Sequence, residues 1–332
     1  MRISELGEFP LISRLVGRVF SHCPTGYMGA GDDCAVLPLG AGRVQLVTTD
    51  LLVEKVHFLR ERTSPSDLGY KSLAVNLSDI AAMGGKPTAF FLSLSLPKDL
   101  DVTWVDAFAD GMNELAQQTK VPLLGGDTTG SSGPIVINIA VLGEASRRAI
   151  KMRSSAKPGD IVAVTGFLGD SGAGLRFVLE GFPRDVNSDA LLLRHNRPHP
   201  HLAQGAWLAS QKAVHAMMDL SDGVNSDICR ILTASNVGVE LELTKLPISV
   251  ELQRSADTFG WDAQKMAAIG GEDYGLLLTV ASEKWEKVRE DFCKKFNTPF
   301  HAIGKIVSAG AGLQFVRNGV PVQFGGTGFQ HF

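Results

Sequence analysis

The sequence predicts an α/β protein of two domains, the first spanning residues 1–148 and the second residues 149–332. Three observations lead to this fold class. The chain has 332 residues, about the length of two average domains. Segments with strand-like and helix-like apolar patterns follow one another in both halves. Charged residues and a Lys-Pro-Gly-Asp turn cluster at 147–160, as expected of a connection between domains.

The first half contains predicted strands and helices separated by Gly-rich turns. Apolar residues at helical spacing predict a first helix at 9–20. Residues 67–83 also look helical, and Ser78 and Asp79 inside them precede an apolar run, so we interpret them as helix-capping residues. A short strand at 121–124 is expected to be buried. The remaining predictions are strands at 34–39, 44–48, 89–96 and 135–143 and a helix at 102–119.

The second half repeats this alternation. A strand is predicted at 161–165, followed by a helix to residue 179. The polar segment 183–201 is interpreted as a loop before a helix, since prolines interleave its histidines (His195, His199 and His201) and no carboxylate or Cys completes a metal site. Further predictions are strands at 216–218, 276–280, 300–307 and 313–316 and helices ending near 234 and spanning 282–296.

Two short motifs occur once in each half. Leu-Ser-Asp is found at 77–79 and 220–222, each time at the predicted start of a helical segment. Gly-Asp-Thr at 126–128 is echoed by Gly-Asp-Ser at 169–171. Two such matches suggest that the halves have related architectures.

Composition excludes several classes of protein. Lys and Arg number 32 against 35 Asp and Glu, so there is no basic surplus to suggest a nucleic-acid partner. The four cysteines are far apart, which disfavours zinc ribbons and redox pairs. The chain has no signal-peptide pattern and no apolar run near the ~18 residues that span a bilayer. We therefore expect no membrane association and a cytoplasmic location.

Six aspartates share one kind of setting. Each is predicted at a strand end, a helix start or a Gly-rich turn, where ligands gather in α/β sheets. Carboxylate oxygens suit Mg²⁺, which usually shares its site with substrate phosphates. The alternative is that each is only a cap or turn residue; six converging carboxylates, however, would repel one another without a cation. The six are Asp33, Asp50, Asp79, Asp127, Asp219 and Asp222.

The common phosphate-binding motifs are absent. The Gly-Gly-Lys at 84–86 is followed by Pro87, and Ile80 occupies the position of the first Gly of a P-loop. The Gly-rich loop, His-Arg-Asp and Asp-Phe-Gly set of protein kinases is also missing. A nucleotide would therefore be bound in another way.

Seven blocks, in order along nearly the whole chain, resemble the thiamine-monophosphate kinase family of the aminoimidazole ribonucleotide synthetase-like superfamily. They are GDD at 31–33, TDLLV at 49–53 with HF at 57–58, LAVNLSDIAAMG at 73–84, GGDTT at 125–129, AKPGD at 156–160, DLSDG at 219–223 and GGEDY at 270–274.

The resemblance implies ATP-dependent phosphorylation of thiamine monophosphate to thiamine diphosphate, with Mg²⁺, in a homodimer. The implied fold has a mixed N-terminal sheet that forms the dimer and binds ATP and Mg²⁺, and a C-terminal α/β domain that completes the active site. Two positions depart from the family's usual residues, Lys55 and Gly275.

The resemblance also implies roles for individual residues. The implied metal ligands are Asp33, Thr48, Thr49, Asp50, Asp79, Asp127, Asp219 and Asp222. The implied ATP contacts are Gly126, Asp127, Arg153 and Ser221, and the substrate contacts are His57, Glu272 and Phe329. Of these, Asp50, Asp79, Asp127 and Arg153 are the implied catalytic residues.

Some of these residues have simpler alternatives when the resemblance is set aside. His57 would be a structural histidine, Arg153 a surface charge and Glu272 a turn residue. Phe329 could pack the C-terminal tail or offer its ring to a cationic thiazolium.

The implied acceptor is a phosphate, whose second pKa of about 6 leaves it largely ionised at neutral pH, so no general base is required. Two alternatives remain open. A selenophosphate synthetase would need a reactive Cys in a Gly-rich segment, a setting that Cys23 lacks. A regulator would bind Mg-nucleotide and transfer nothing.

Overall fold

The computed structural model describes residues 2–19 and 23–325, which form two mixed sheets with their helices. The N-terminal elements are α1 (Ile3–Leu6), α2 (Glu8–Val16), β1 (Ala35–Gly40), β2 (Arg43–Val53), α3 (Pro65–Ala82), β3 (Lys86–Pro97), α4 (Val102–Thr119), β4 (Leu123–Ser131) and β5 (Val136–Ser146). The C-terminal elements are β6 (Ile161–Thr165), α5 (Asp170–Glu180), α6 (Val186–Asn196), α7 (Leu202–Ser210), β7 (Val214–Asp219), α8 (Val224–Ser235), β8 (Gly238–Glu242), α9 (Val250–Phe259), α10 (Ala263–Ile269), β9 (Leu276–Val280), α11 (Trp285–Phe296), β10 (Phe300–Val307), β11 (Leu313–Arg317) and β12 (Val320–Val322).

The first sheet has the strand order β1-β2-β5-β3-β4, in which only β3 and β4 run parallel. Its inner face carries buried apolar residues such as Leu46, Phe90 and Ile139, which pack in one core with Leu73 of α3 and Phe108 of α4. Its outer face is not covered by any element among the described residues: β4 is exposed at all but its last position. The prediction of a mixed N-terminal sheet is confirmed.

The second sheet has the order β12-β11-β8-β10-β6-β9-β7, in which only β8 and β11 run parallel. It confirms a second α/β unit. We propose the domain boundary between residues 148 and 149, because the first sheet ends at Ser146 and the second begins at Ile161.

Helix α3 lies between the two units. Ser64 caps it by accepting a hydrogen bond from the Asp67 N–H, and Pro65 suits its first turn, where no donor is needed. Fourteen of its 18 residues are buried, because the first sheet and α4 pack on one side and α7 and β7 on the other. The interpretation of Asp79 as a helix cap is therefore wrong: Asp79 lies in the last turn of α3.

The structure corrects four further predictions. Strand β2 continues to Val53, so Thr48 and Asp50 lie inside a strand and not at its end. The expected buried strand at 121–124 is the exposed edge strand β4, which includes the Gly-rich segment. Segment 183–201 contains α6, so His195 is helical and buried. Neither motif echo joins equivalent positions, since 77–79 lies within α3 whereas 220–222 is a loop. Strand β8 and helices α9 and α10 were not predicted.

The first predicted helix is confirmed over Glu8–Val16, with its apolar side chains Ile12, Leu15 and Val16 exposed.

Close packing of α3 against α7 depends on Gly205. A Cβ atom at this position would lie 2.1 Å from the Ala81 carbonyl oxygen. We expect Gly205→Ala to destabilise the protein by about 1–3 kcal/mol, the usual cost of overpacking, measured by urea unfolding. Gly310→Ala is the matched control, since nothing lies within 4 Å of its added Cβ. Equal stability of both variants would contradict close packing here.

Candidate active site

Three carboxylates meet where α3 contacts the second domain. Oxygens of Asp33, Asp79 and Asp219 all lie within 4.8 Å of one another. Asp33 precedes β1, Asp79 is in the last turn of α3, and Asp219 ends β7. We call these three residues the carboxylate cluster. Three of the six aspartates that the sequence was expected to bring together therefore meet here.

Neighbouring polar groups hold the cluster in place. The Thr48 hydroxyl of β2 donates a hydrogen bond to the Asp79 carboxylate, and the Ser78 hydroxyl donates to Asp219 Oδ2 at 2.7 Å. Asp50 is fixed through its backbone N–H, which donates to the Asn76 side-chain oxygen at 3.0 Å. Since Ser78, Asp79 and Asn76 all belong to α3, one buried helix orients carboxylates from both domains.

Arg153 supplies a positive charge beside the cluster. Its guanidinium pairs with the Asp33 carboxylate and its backbone N–H donates to Asp32 Oδ2 at 3.0 Å. The Arg153 side chain is only 12% exposed, so it is not a surface linker charge. Asp33 Oδ2 is buried without a hydrogen-bond partner, which leaves it available to a cation.

Asp222 lies in the loop that follows Asp219. It pairs with Arg230 of α8, and its backbone N–H donates to Asp227 Oδ2 at 3.1 Å. Ser221, in the same loop, accepts a hydrogen bond from the Glu272 N–H through its carbonyl.

Burial and mutual repulsion hold protons on the cluster. Desolvation by burial, with the charges of neighbouring carboxylates, raises the pKa of Asp219 to about 7 and the pKa of Asp79 well above its usual range. Burial alone raises the pKa of Asp50 to about 6. Burial also raises the pKa of Asp33, although the positive charge of Arg153 acts to lower it. These carboxylates are therefore in conflict at neutral pH unless a cation joins them.

The donor set fits a divalent hard cation. Every side-chain ligand available at the cluster is an oxygen, from carboxylates and the Thr48 hydroxyl, which is the preference of Mg²⁺. The unpartnered Asp33 oxygen and the repulsion among three carboxylates would both be relieved by such an ion.

The raised pKa values predict how stability depends on pH. The folded protein keeps protons that the unfolded chain, with aspartate pKa values near 3.8, releases. Stability from these groups is therefore complete below about pH 4 and is lost as pH rises through about 6–7. We expect the Tm in chelator to fall between about pH 5 and 8, and Mg²⁺ to reverse the fall. The exposed-carboxylate variant Asp106→Asn should behave like wild type; a Tm that rises with pH in chelator would contradict the account.

A second polar group of residues lies beside the cluster, around Glu272. Its carboxylate contacts the Lys71 ammonium of α3 at 3.0 Å and His195 Nδ1 of α6 at 3.5 Å. His57 is close enough for its charge to lower the pKa of Glu272, and its Nδ1 accepts a hydrogen bond from the Val53 N–H at 3.0 Å. The implied substrate contacts His57 and Glu272 are thus brought together.

The structure does not bring every predicted residue to the cluster. Gly126 and Asp127 lie on the edge strand β4, and cross-strand register places Asp127 beside Ser93 and Asn138 on the outer face. Thr49 is on the same face, where it accepts a hydrogen bond from Asn138 Nδ2 at 2.8 Å. Within one chain, Asp127 and Thr49 are separated from the cluster by the sheet, whereas Gly126 is in register with Leu92 and Asp50 and lies three strands away from Asp50. Phe329 lies outside the described residues.

Lys55 and Gly275 are the two positions that depart from the family's usual residues. Lys55 has a left-handed backbone with φ +69°. A Cβ atom added at Gly275 would lie 2.8 Å from the Thr165 carbonyl oxygen.

Several residues at the site were not predicted. Those on α3 could have been found from its sequence, since polar residues in a helix that is otherwise apolar must face partners. Asp32 carries no local signal, because Arg153, its partner, is 121 residues away. His195 lies on α6, which was not predicted. Asp227 and Arg230 contact Asp222 and each other at close spacing on or next to the predicted helix α8, so helical periodicity could have indicated them. The residues are Asp32, Lys71, Asn76, Ser78, His195, Asp227 and Arg230.

In the described part of the chain, no helix combines the length and the apolar character needed to cross a membrane.

Comparison with known proteins agrees with this geometry. Residues 31–145 match the N-terminal domain of AIR synthase related proteins, and residues 157–314 match the C-terminal domain. The chain is 38% identical to thiamine-monophosphate kinase of Bacillus subtilis, over 91% of each protein. It is 39% identical to that of Escherichia coli, over 98% of each.

Solved structures give the same result. A structure of AaThiL complexed with AMPPCP and TMP superposes with a TM-score of 0.87 and 34% identity, covering 100% of this chain and 99% of that one. The thiamine monophosphate kinase from Aquifex aeolicus superposes with a TM-score of 0.83 at 34% identity, covering 97% of this chain and 100% of that one. The chain belongs to the thiamine-monophosphate kinase family.

Proposed function

We propose that this protein transfers the terminal phosphoryl group of ATP to thiamine monophosphate, which gives thiamine diphosphate and ADP. The observation that carries the proposal is the carboxylate cluster between the domains, with Arg153 on one side and the Glu272 group on the other. A relative that shares the whole fold was solved with an ATP analogue and TMP. Curated relatives covering 98% of the chain carry the same activity in their name.

Mg²⁺ is the cation that we propose for the cluster, held by Asp33, Asp79 and Asp219 with Thr48 and Asp50 close by. When bound, it would neutralise charge on the phosphate oxygens. We also propose Asp222 and Ser221 as contacts to the ATP phosphates or their metal, because their loop continues directly from Asp219.

The chain's own residues position the reactants and offset charge. The acceptor phosphate has a second pKa of about 6, so its oxygen is already a nucleophile at neutral pH. Arg153, fixed by Asp32 and Asp33, keeps a positive charge at the site where two anionic groups must meet. The reaction is therefore direct in-line transfer, in which positioning and electrostatic stabilisation provide the catalysis.

The test is a product assay with purified protein, Mg-ATP and thiamine monophosphate. We expect ADP and thiamine diphosphate to form in equal amounts. ATP binding without any thiamine diphosphate would overturn the proposal and favour a non-catalytic nucleotide-binding regulator. Selenide-dependent ATP consumption would instead favour a selenophosphate synthetase.

We propose a homodimer that forms through the outer face of the first sheet. This face exposes Leu51 and Phe91, with 52% and 37% of their surface accessible, and β4 ends the sheet with an unpaired edge. Asp127 is the one charged residue in β4, and β3 is charged only at its first residue, Lys86. Two copies related by a two-fold axis could therefore pair this face without like-charge repulsion.

Phe91→Glu tests the dimer. A charge at the centre of the outer face should convert the protein to a monomer in sedimentation equilibrium, while the circular dichroism spectrum stays unchanged, because the residue does not belong to the core. Val186→Glu, at an exposed position of α6 in the other domain, is the control variant and should remain dimeric. A dimeric Phe91→Glu protein would exclude this face.

We also propose a cytoplasmic location. All four cysteines are free thiols, which suits a reducing compartment that supplies ATP.

A further inference from the structure

A lysine is buried against a carboxylate where the two domains meet. Lys71 is 4% exposed, and its Nζ lies 3.0 Å from Oε1 of Glu272. The other carboxylate oxygen, Oε2, faces His195 Nδ1 at 3.5 Å, and this nitrogen lies 2.9 Å from the Ser171 hydroxyl. Groups from α3, α5 and α6 therefore fix one carboxylate.

The Glu272 loop is joined by its backbone to the loop of the carboxylate cluster. The N–H of Glu272 donates to the Ser221 carbonyl at 2.7 Å, and the N–H of Tyr274 donates to the Leu220 carbonyl at 2.8 Å. Movement of one loop would therefore disturb the other.

Helix α3 sets the separation between the two groups. Lys71 contacts Glu272 and Ser78 contacts Asp219; seven residues apart, they lie on the same side of the helix. From Lys71 to Asp79 the helix rises about 12 Å. A substrate whose phosphate lies at the cluster would extend its organic end along α3 towards Glu272, a length that the two rings of thiamine can cover.

The backbone of this loop is strained. Glu272 and Tyr274 have φ of +62° and +50°, a left-handed conformation that is unfavourable for residues with side chains. Such strain costs on the order of 1 kcal/mol or more and is maintained where the surrounding structure imposes it, commonly at binding sites. Here it is the orientation of the Glu272 carboxylate that the loop maintains.

The protonation states around Glu272 show that Lys71, and not His195, carries the positive charge beside it. Burial, with the Lys71 charge, lowers the pKa of His195 to about 3, so this histidine is neutral. Burial, the largest single influence, acts to raise the pKa of Glu272, but the charge and hydrogen bond of Lys71 together with His195 and His57 outweigh it, and the pKa lies below its usual value. Glu272 is thus an anion that can accept from about four directions, of which Lys71 occupies one.

We propose that Lys71 is a positioning residue: it holds Glu272 as a charged acceptor in one orientation, from which Glu272 accepts a hydrogen bond from the amino group on the pyrimidine ring of the substrate. This inference rests on the proposed function. A carboxylate offers only acceptors, so at that ring position it favours an amino group, which donates, over a carbonyl oxygen, which only accepts.

The experiment compares thiamine monophosphate with the analogue in which a carbonyl oxygen replaces that amino group. Wild type should prefer the amino substrate by about tenfold to a hundredfold in kcat/KM, the effect of one charged hydrogen bond. Lys71→Met should bring the ratio close to one, mainly by raising KM for the amino substrate, with little change in kcat. Lys71→Arg should restore part of the preference.

Two further variants separate selectivity from domain packing. Arg197→Met removes another contact between domains, the ion pair with Glu114 at 2.7 Å; it should lower Tm and leave the ratio unchanged. Glu272→Gln can donate to the carbonyl analogue and should reduce or invert the preference, even if Lys71→Met does not fold.

A wild-type ratio in either Lys71→Met or Glu272→Gln would overturn the inference, as would equal weakening of both substrates. The proposed function is tested separately: if wild type forms thiamine diphosphate and these ratios do not change, only the role of Lys71 is lost.

Discussion

Asp79→Asn should reduce kcat about a thousandfold at Mg²⁺ concentrations that saturate wild type. Loss of one carboxylate from the cluster removes several kcal/mol of charge stabilisation of the bound cation and phosphates, and 1.4 kcal/mol corresponds to about tenfold. The amide oxygen can still accept from the Thr48 hydroxyl, so the fold should persist. Initial rates over a range of Mg²⁺ concentrations measure the effect.

The same substitution should not destabilise the metal-free protein. Burial and the charges of Asp50, Asp219 and Asp33 raise the pKa of Asp79, so its charge opposes folding at neutral pH. In chelator, the Tm of Asp79→Asn should equal or exceed that of wild type. Addition of Mg²⁺ should raise the Tm of wild type by more than it raises the Tm of the variant. Normal turnover with unchanged Mg²⁺ dependence would remove Asp79 from the proposed metal site.

Arg153→Met should have the opposite effect on stability. It leaves the Asp33 and Asp32 carboxylates buried without their cation, which typically costs about 3–5 kcal/mol. We expect a large loss of stability in chelator, a smaller loss with Mg²⁺, and a loss of activity of at least about a hundredfold, since the substrates also lose a positive charge.

Urea unfolding with and without Mg²⁺ measures the loss of stability in Arg153→Met, and initial rates measure its loss of activity. Arg153→Lys keeps the charge and should recover part of both. Arg184→Met is the control, because this arginine pairs with Asp189 of α6 on the exposed surface. If Arg153→Met and Arg184→Met have the same stability, the buried pair of Arg153 does not contribute as described.

Much of the fold could be predicted because its patterns are local. Helix α4 and strands β6, β9 and β10 have the predicted bounds, since each has a clear apolar period and a turn at its end. Helix α6 was missed because its polar sequence is flanked by prolines; its buried side, including Leu191 and His195, is defined only by packing against α5 and α9.

The convergence of Asp33, Asp79 and Asp219 could also be predicted, but for partly wrong reasons. Asp79 was expected at a helix start and lies near the end of α3, so its role depends on the second domain packing against that helix. The partners of Arg153 and Lys71 are distant in sequence, and no periodicity indicates them. Asp127 has the expected neighbours in sequence, yet the strand that carries it faces away from the cluster in the single chain.

The central claim is that the phosphoryl group passes directly from ATP to thiamine monophosphate, without a covalent enzyme intermediate. ATP made chiral at its γ-phosphorus with oxygen isotopes tests it most directly. A single in-line displacement predicts inversion of configuration in the terminal phosphate of thiamine diphosphate. Retention would show two successive displacements through a phosphorylated residue of the protein and would contradict the account.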